Sequence, residues 1–197
     1  MNATITSTAH YVPEKVLTNS DLEKLVDTSD EWIKSRVGIN QRHVVSDGEA
    51  SSDMSTKVAH SLLEKRRISA ANIDVIIIGT VTPDHPTPST AAIVQNNINA
   101  ENAWAFDLSA ACSGFLYALE TGAKFIESGQ YKTIMVIGVD TMTSILDFED
   151  RETCIIFGDG AGGVILEASK SNTGILGSVL KTDGSGAESL NVLAGGS

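Results

Sequence analysis

Cysteine is scarce: only Cys112 and Cys154 occur in 197 residues, and they form no C-x-x-C pair. So few thiols exclude a disulfide-stapled secreted scaffold and point to free thiols in a reducing compartment. Basic side chains are also few, 14 Lys and Arg against 25 Asp and Glu, for a net charge of −11. That balance argues against a nucleic-acid backbone or an anionic membrane as a main partner. No run approaches the roughly 18 apolar residues of a membrane helix, and "MNATITSTAHYVPEK" lacks the basic-then-apolar order of a signal peptide. A cytoplasmic location is therefore expected. The four histidines, His10, His43, His60 and His85, are scattered without metal-ligand spacing, so no metal is expected. With 42% apolar and 20% charged residues the chain has the material for a sizeable core.

Apolar strand patterns alternate with helical ones. "ATITSTAHYVP" reads as a strand, and "TNSDLEKLV" and "TSDEWIKSRVG" as short helices opened by Thr or Ser, the second stopped by Gly38. "NQRHVV" is a strand and "SSDMSTKVAHSLLEKRR" an amphipathic helix. "IDVIIIGTVT", "AWAFDLSA" and "KTIMVIGVD" read as buried strands covered on both faces. Between them lie the helices "PSTAAIVQNNI", with Pro88 in its first turn, and "CSGFLYALETGAKFIESG". A charged stretch, "TSILDFEDRET", then precedes two further strand patterns, "CIIFGDGAGGVILEAS" and "TGILGSVLKTDG". The alternation predicts an α/β fold, a sheet with helices on both sides. "AESLNVLAGGS" offers no closing element, so the chain reads as interrupted.

Cys112 stands where the strand pattern "AFDLSA" meets a helical one. The helix carries Phe115, Leu116, Leu119, Ala123 and Ile126 on one stripe, and a cysteine in such surroundings is commonly inert packing. Three features favour a nucleophile. Unpaired N–H groups and the dipole at a helix start stabilise a thiolate. Strand ends form the rim where open α/β sheets place their sites. Ala110, Ala111, Ser113 and Gly114 leave room beside the sulfur, and a strand–turn–helix elbow would expose it. Cys154, in "TCIIF", has none of these supports and is expected to be core.

Other motifs carry competing readings. "GDGAGG" contains G-x-G-x-x-G at Gly158, Gly160 and Gly163, but strand-like "VILEAS" follows where a dinucleotide site needs a helix. Close backbone approach is the better use of these glycines. Trp32 and Arg36 share one helix face at i, i+4, which suits either a surface helix or a plate and cation for a planar phosphorylated ligand. Arg151 reads as a surface ion-pair partner, and His85, between two prolines, as structural.

Together, "YVPEKVLTNSDLEKLVDTSDEWIKSRVGINQRH", "AFDLSAACSGFLYAL", "DFEDRET" and "IIFGDGAGG" resemble the β-ketoacyl-acyl carrier protein synthase III family, in its order and approximate spacing. Other thiolase-fold enzymes also use a cysteine, and the pairing of "TSDEWI" with "FGDGAGG" favours synthase III over them. The resemblance implies the N-terminal half of a thiolase-like fold, a mixed sheet covered by helices on both faces with the nucleophile at a buried helix N-terminus. It implies residues 1–170 as that half and 171–197 as the start of a connection to a C-terminal half. It implies that Cys112 is acylated by acyl-CoA, as substrate rather than cofactor, and that condensation with malonyl-acyl carrier protein follows with loss of carbon dioxide. By position, Thr28, Trp32, Arg36 and Arg151 correspond to CoA-binding residues, and Ile156 and Phe157 to contacts along the pantetheine and acyl path. A homodimer is implied as well, with position 87 reaching the partner's acyl pocket.

Two departures accompany the resemblance. Thr87 stands where the family often has a bulky Phe, so a larger acyl pocket is expected. The family's His and Asn, which stabilise the enolate during condensation, belong to its C-terminal half. None of the four histidines here has an equivalent motif, so these residues alone are expected to be incompetent for condensation. The alternatives are a thiolase-fold acyltransferase of quinolone or polyketide type, and an inactive half that dimerises or binds CoA.

Overall fold

The computed structural model describes residues 2–169, 171, 173–193 and 195. Strand β1 (Asn2–Tyr11) leads into a hairpin of β2 (Val16–Thr18) and β3 (Gln41–His43), whose long connection carries helices α1 (Asn19–Leu22) and α2 (Asp30–Val37). Helix α3 (Ser51–Arg66), strand β4 (Val75–Gly79), helix α4 (Thr90–Asn97), strand β5 (Trp104–Leu108) and helix α5 (Gly114–Glu127) follow. Strands β6 (Thr133–Thr141) and β7 (Asp159–Ser169) come last. The main sheet has the order β1-β7-β6-β4-β5; β4 runs parallel to β5 and β6, and β7 antiparallel to β6 and β1.

Alternation along the central strands divides the core in two, because successive side chains leave opposite faces of a sheet. Ile76 and Ile78 of β4 pack with Met135 and Ile137 of β6 under Met54, Val58 and Leu62 of α3 and Val94 of α4. Val75 and Ile77 join Ile134, Val136 and Leu166 under Ala118, Ala123 and Ile126 of α5. A third cluster, Leu22, Ile33, Cys154 and Ile155, lies outside the sheet and joins α1 and α2 to the turn before β7. Among the described residues no helix is long and apolar enough to cross a membrane.

The short helices follow their caps. The Thr18 hydroxyl accepts from the Asp21 N–H at the start of α1, Ser29 accepts from the Trp32 N–H at the start of α2, and Gly38 ends α2 with φ 74°. Pro88 is not in the first turn of α4. Ser89 caps that helix, and the Asp107 carboxylate accepts from the Thr90 and Ala91 N–H groups, so the residue before Ser89 lies outside it.

Three strand readings change. "AWAFDLSA" forms β5, but at the sheet edge: among the described residues only β4 pairs with it, and Trp104 is 42% exposed. The residues 151–156 are turns, so Cys154 is buried as expected but outside any strand, and β7 begins only at Asp159, after Gly158 has passed close to β3. A Cβ at Gly158 would meet the Cβ of Arg42 at 2.8 Å. "TGILGSVLKTDG" makes no strand. Ile175 donates one backbone bond to Ala3 on the free edge of β1, but the pairing goes no further and Leu176 and Val179 stay exposed, since strand propensity counts only where side chains find a surface to pack on. The boundary expected after residue 170 falls at a position outside the described residues.

Candidate active site

The parallel strands and the antiparallel β7 bring functional positions to one rim. β4 and β5 end together, Gly79 opposite Leu108, and β6 ends with Thr141 opposite Asp159, the first residue of β7. Cys112 follows β5, and Ile156 and Phe157 precede β7, so both groups sit at the same edge of the sheet. Three strand spacings separate β5 from β7, about 14 Å.

At the β5 end the chain makes a 3-10 turn, Ala111–Ser113, before α5 begins at Gly114. Ala111 adopts φ 46°, a left-handed conformation that costs an alanine about 1–2 kcal/mol. This turn leaves Cys112 exposed, although residues on both sides belong to well-packed elements. Helix α5 itself is buried only on its sheet face: Ala118, Gly122 and Ala123 are covered, while Leu116 is 56% exposed. The start of α5 is fixed by two glycines. A Cβ on Gly79 would meet the carbonyl carbon of Gly114 at 2.8 Å, so the strand end and the helix start touch backbone to backbone. Ala111 and Ser113, on either side of the thiol, line an open cleft of about 630 Å³ together with Tyr117 and Lys181–Asp183.

A neighbouring cleft of about 910 Å³ lies over the ends of β4, β5 and β6, with Thr80, Asp107, Ser109 and Thr141 on its floor and wall. Asp140 organises its loop, accepting from the N–H groups of Val81 (2.8 Å) and Thr82 (3.2 Å) and from both threonine hydroxyls, Thr80 and Thr82. His85 lines this cleft from the same loop, and Thr87 is exposed near the loop tip.

The other group forms outside the sheet. The guanidinium of Arg151 lies 5.0 Å from the centre of the Trp32 ring, and that of Arg36 lies 5.8 Å from it. Cation–π attraction accounts for both contacts. Arg151 also approaches Asp27 at 3.6 Å, an exposed pair worth little on its own. The Thr28 hydroxyl, next in sequence to Asp27, is buried and has no hydrogen-bond partner among the described residues. Ile156 is 41% exposed and Phe157 half-buried, leading from this group toward the sheet rim. The fold thus gathers Trp32, Arg36 and Arg151 into one cluster and holds Cys112 at the opposite side of the rim. Thr87 joins neither group within one chain.

Gly160 and Gly163 lie inside β7, so a strand, and not the helix a dinucleotide motif requires, follows the glycines. A Cβ at Gly163 would meet the Val136 carbonyl at 2.9 Å. Two features escaped the sequence reading. Nothing in an alanine codon marks the left-handed turn before Cys112. Nor does "NQRH" distinguish Arg42, which is only 4% exposed, from a surface arginine.

Residues 106–184 match the family model described as 3-oxoacyl-[acyl-carrier-protein (ACP)] synthase III. A β-ketoacyl-[acyl-carrier-protein] synthase III of Chlorobaculum tepidum is 58% identical over 200 residues, which cover all of this chain and 61% of that protein. The chain thus spans about 60% of the length of the curated relatives it matches. The crystal structure of a β-ketoacyl-[acyl-carrier-protein] synthase III from Thermus thermophilus superposes with a TM-score of 0.89 at 39% identity, covering 94% of this chain and 57% of that one. The priming β-ketosynthase of the R1128 polyketide pathway superposes with a TM-score of 0.83 at 31% identity, covering 86% and 51%.

Proposed function

This chain belongs to the β-ketoacyl-[acyl-carrier-protein] synthase III family, and from that premise we propose that Cys112 is the residue acylated by acyl-CoA. Its Sγ attacks the thioester carbonyl, the backbone N–H of Cys112 helps to stabilise the oxyanion, and CoA leaves as its thiol. The Trp32 ring with Arg36 and Arg151 is the clamp for the adenine nucleotide, and Thr28 stands beside it. Ile156 and Phe157 border the route of the pantetheine arm across the rim to the thiol. Decarboxylative condensation of the acyl group with malonyl-acyl carrier protein completes the reaction in the whole protein, with a His and an Asn from the part of the family's length outside these residues. That protein is a cytoplasmic homodimer in which Thr87 of each protomer faces the other's acyl pocket.

The observation that carries this reading is the meeting of two guanidinium groups on one indole, at the same rim as an exposed cysteine. A priming enzyme of polyketide type is a second reading, favoured by the small Thr87, because less bulk there admits longer primers.

One mass-spectrometric experiment tests both. The full-length protein is incubated with acetyl-CoA or octanoyl-CoA, digested and mapped. One acyl group on Cys112 and none on Cys154 is expected, with octanoyl transferred at a rate comparable to acetyl. Acylation elsewhere, or none, overturns the assignment of Cys112; strict acetyl preference overturns the enlarged pocket.

A further inference from the structure

The clamp is assembled from two pieces that share no strand of the main sheet. Trp32 and Arg36 belong to α2, and Arg151 to the turns before β7. Their shared apolar cluster, Leu22, Ile33, Cys154 and Ile155, is non-directional and does not set a register. The directional ties run through Arg42 of β3. Its Nη2 donates to the Ile155 carbonyl at 2.7 Å, and its Nη1 donates to Asn19 Oδ1 at 3.0 Å and to the Leu17 carbonyl at 3.4 Å. Asn19, 1% exposed, passes the tie on: its Nδ2 donates to Asp30 Oδ1 at 2.9 Å and to the Ile39 carbonyl at 2.8 Å. Asp30 opens α2 and Ile39 follows its C-cap, so one amide grips both ends of the helix that bears Trp32.

Arg42 is a costly way to build stability. It is 4% exposed, its Nε has no hydrogen-bond partner, and no carboxylate lies within ion-pair distance of it among the described residues. A buried cation without a counterion loses hydration that neutral acceptors replace only in part. Gly158 lets the turn before β7 pass close to β3, a Cβ there meeting the Arg42 Cβ at 2.8 Å and the His43 carbonyl at 3.1 Å, and this brings the Ile155 carbonyl within reach of the guanidinium.

We propose that Arg42 and Asn19 are positioning residues that hold α2 and the turn before β7 in register, so that Trp32 and Arg151, in contact at 5.0 Å here, face each other as the two sides of one clamp. The proposal rests on the reading of that cluster as the adenine clamp. The fork of Arg42 fixes the turn, Asn19 fixes α2, and the bond between them fixes one against the other.

The test uses the full-length protein and substitutes Arg42→Lys, Asn19→Asp and, as reference, Trp32→Ala. Lysine keeps the charge and loses the fork; aspartate keeps the bond to Arg42 but meets Asp30 as a like charge. CoA affinity is read by calorimetry, Cys112 acylation with acetyl-CoA and with acetyl-pantetheine, which lacks the nucleotide, and folding by thermal melting. Both positioning variants are expected to weaken CoA binding about 10-fold or more and raise KM for acetyl-CoA, with acylation by acetyl-pantetheine within about twofold of wild type. Combining Arg42→Lys with Trp32→Ala should cost little beyond Trp32→Ala alone, because both act on one clamp. Equal losses on the two thioesters, or unchanged CoA affinity in whichever positioning variants fold, overturn the proposal. Wild-type protein that does not bind CoA, or CoA affinity indifferent to Trp32→Ala, overturns the clamp reading itself and the proposal with it.

Discussion

Ala111 and Cys112 show how one backbone dihedral changes what a side chain can do. The left-handed φ of 46° at Ala111 turns the chain sharply between β5 and α5 and brings the next side chain to the surface. Glycine adopts this conformation freely, whereas a β-branched residue there is a steric outlier. Ala111→Gly should therefore leave stability within about 1 kcal/mol of wild type, relief of strain offsetting the greater freedom of the unfolded chain. Ala111→Val should cost about 1–3 kcal/mol and slow alkylation of Cys112 by iodoacetamide. Urea denaturation with timed alkylation measures both, and equal effects of glycine and valine would remove the argument from strain. The legible part of this site was the company Cys112 keeps, small residues between a strand and a helix pattern. The dihedral that exposes it leaves no mark in residue type.

At the scale of elements, α5 is held by contact between backbones. Gly79 ends β4 directly against Gly114, with no flexible side-chain tip between them that could move aside. Gly79→Ala should consequently destabilise the protein by about 1–3 kcal/mol, as overpacking does in a close-packed interior. It should also shift the start of α5 and alter the alkylation rate of Cys112. An unchanged denaturation midpoint would mean that the strand end can retreat from the helix. Capped elements were readable from residue types: Thr18, Ser29 and Gly38 act where capping chemistry places them. Strand position in the sheet was not readable. The apolar run of β5 looks like that of β4, yet one lies at the edge and the other at the centre, because sheet order depends on crossovers and not on local pattern.

Over the whole molecule, the excess of acidic side chains has a consequence for stability against pH. Thr153 and the Glu152 N–H lower the Asp150 carboxyl, and Lys34 with Asn19 lowers that of Asp30. Burial raises Glu167, but bonds from Arg66 and Thr6 outweigh it; burial also raises Glu49, but Lys57 and Tyr11 outweigh it in turn. A carboxyl lowered by folding contributes stability that is complete above its unfolded pKa of about 4 and is lost as pH falls through the folded value. Asp107 runs the other way: burial raises it above its ordinary value despite bonds from the Ala91 and Thr90 N–H groups, so acid relieves it. With the lowered groups in the majority, the melting temperature should fall steadily from pH 5 to about pH 3. A flat profile by calorimetry would show that these partners act equally on the unfolded chain.

The residues themselves determined the alternation of strands and helices, the family motifs and the thiol at a strand–helix seam, because periodicity, capping and nucleophile type are local properties. Tertiary structure decided the rest. It carried Arg151 across the chain to Trp32, buried Arg42, set β5 at the edge and gave "TGILGSVLKTDG" a single backbone bond to β1 in place of a strand. Each of these depends on which distant segment becomes a neighbour. Sheet order and backbone approach settle that, through contacts that no window of sequence contains.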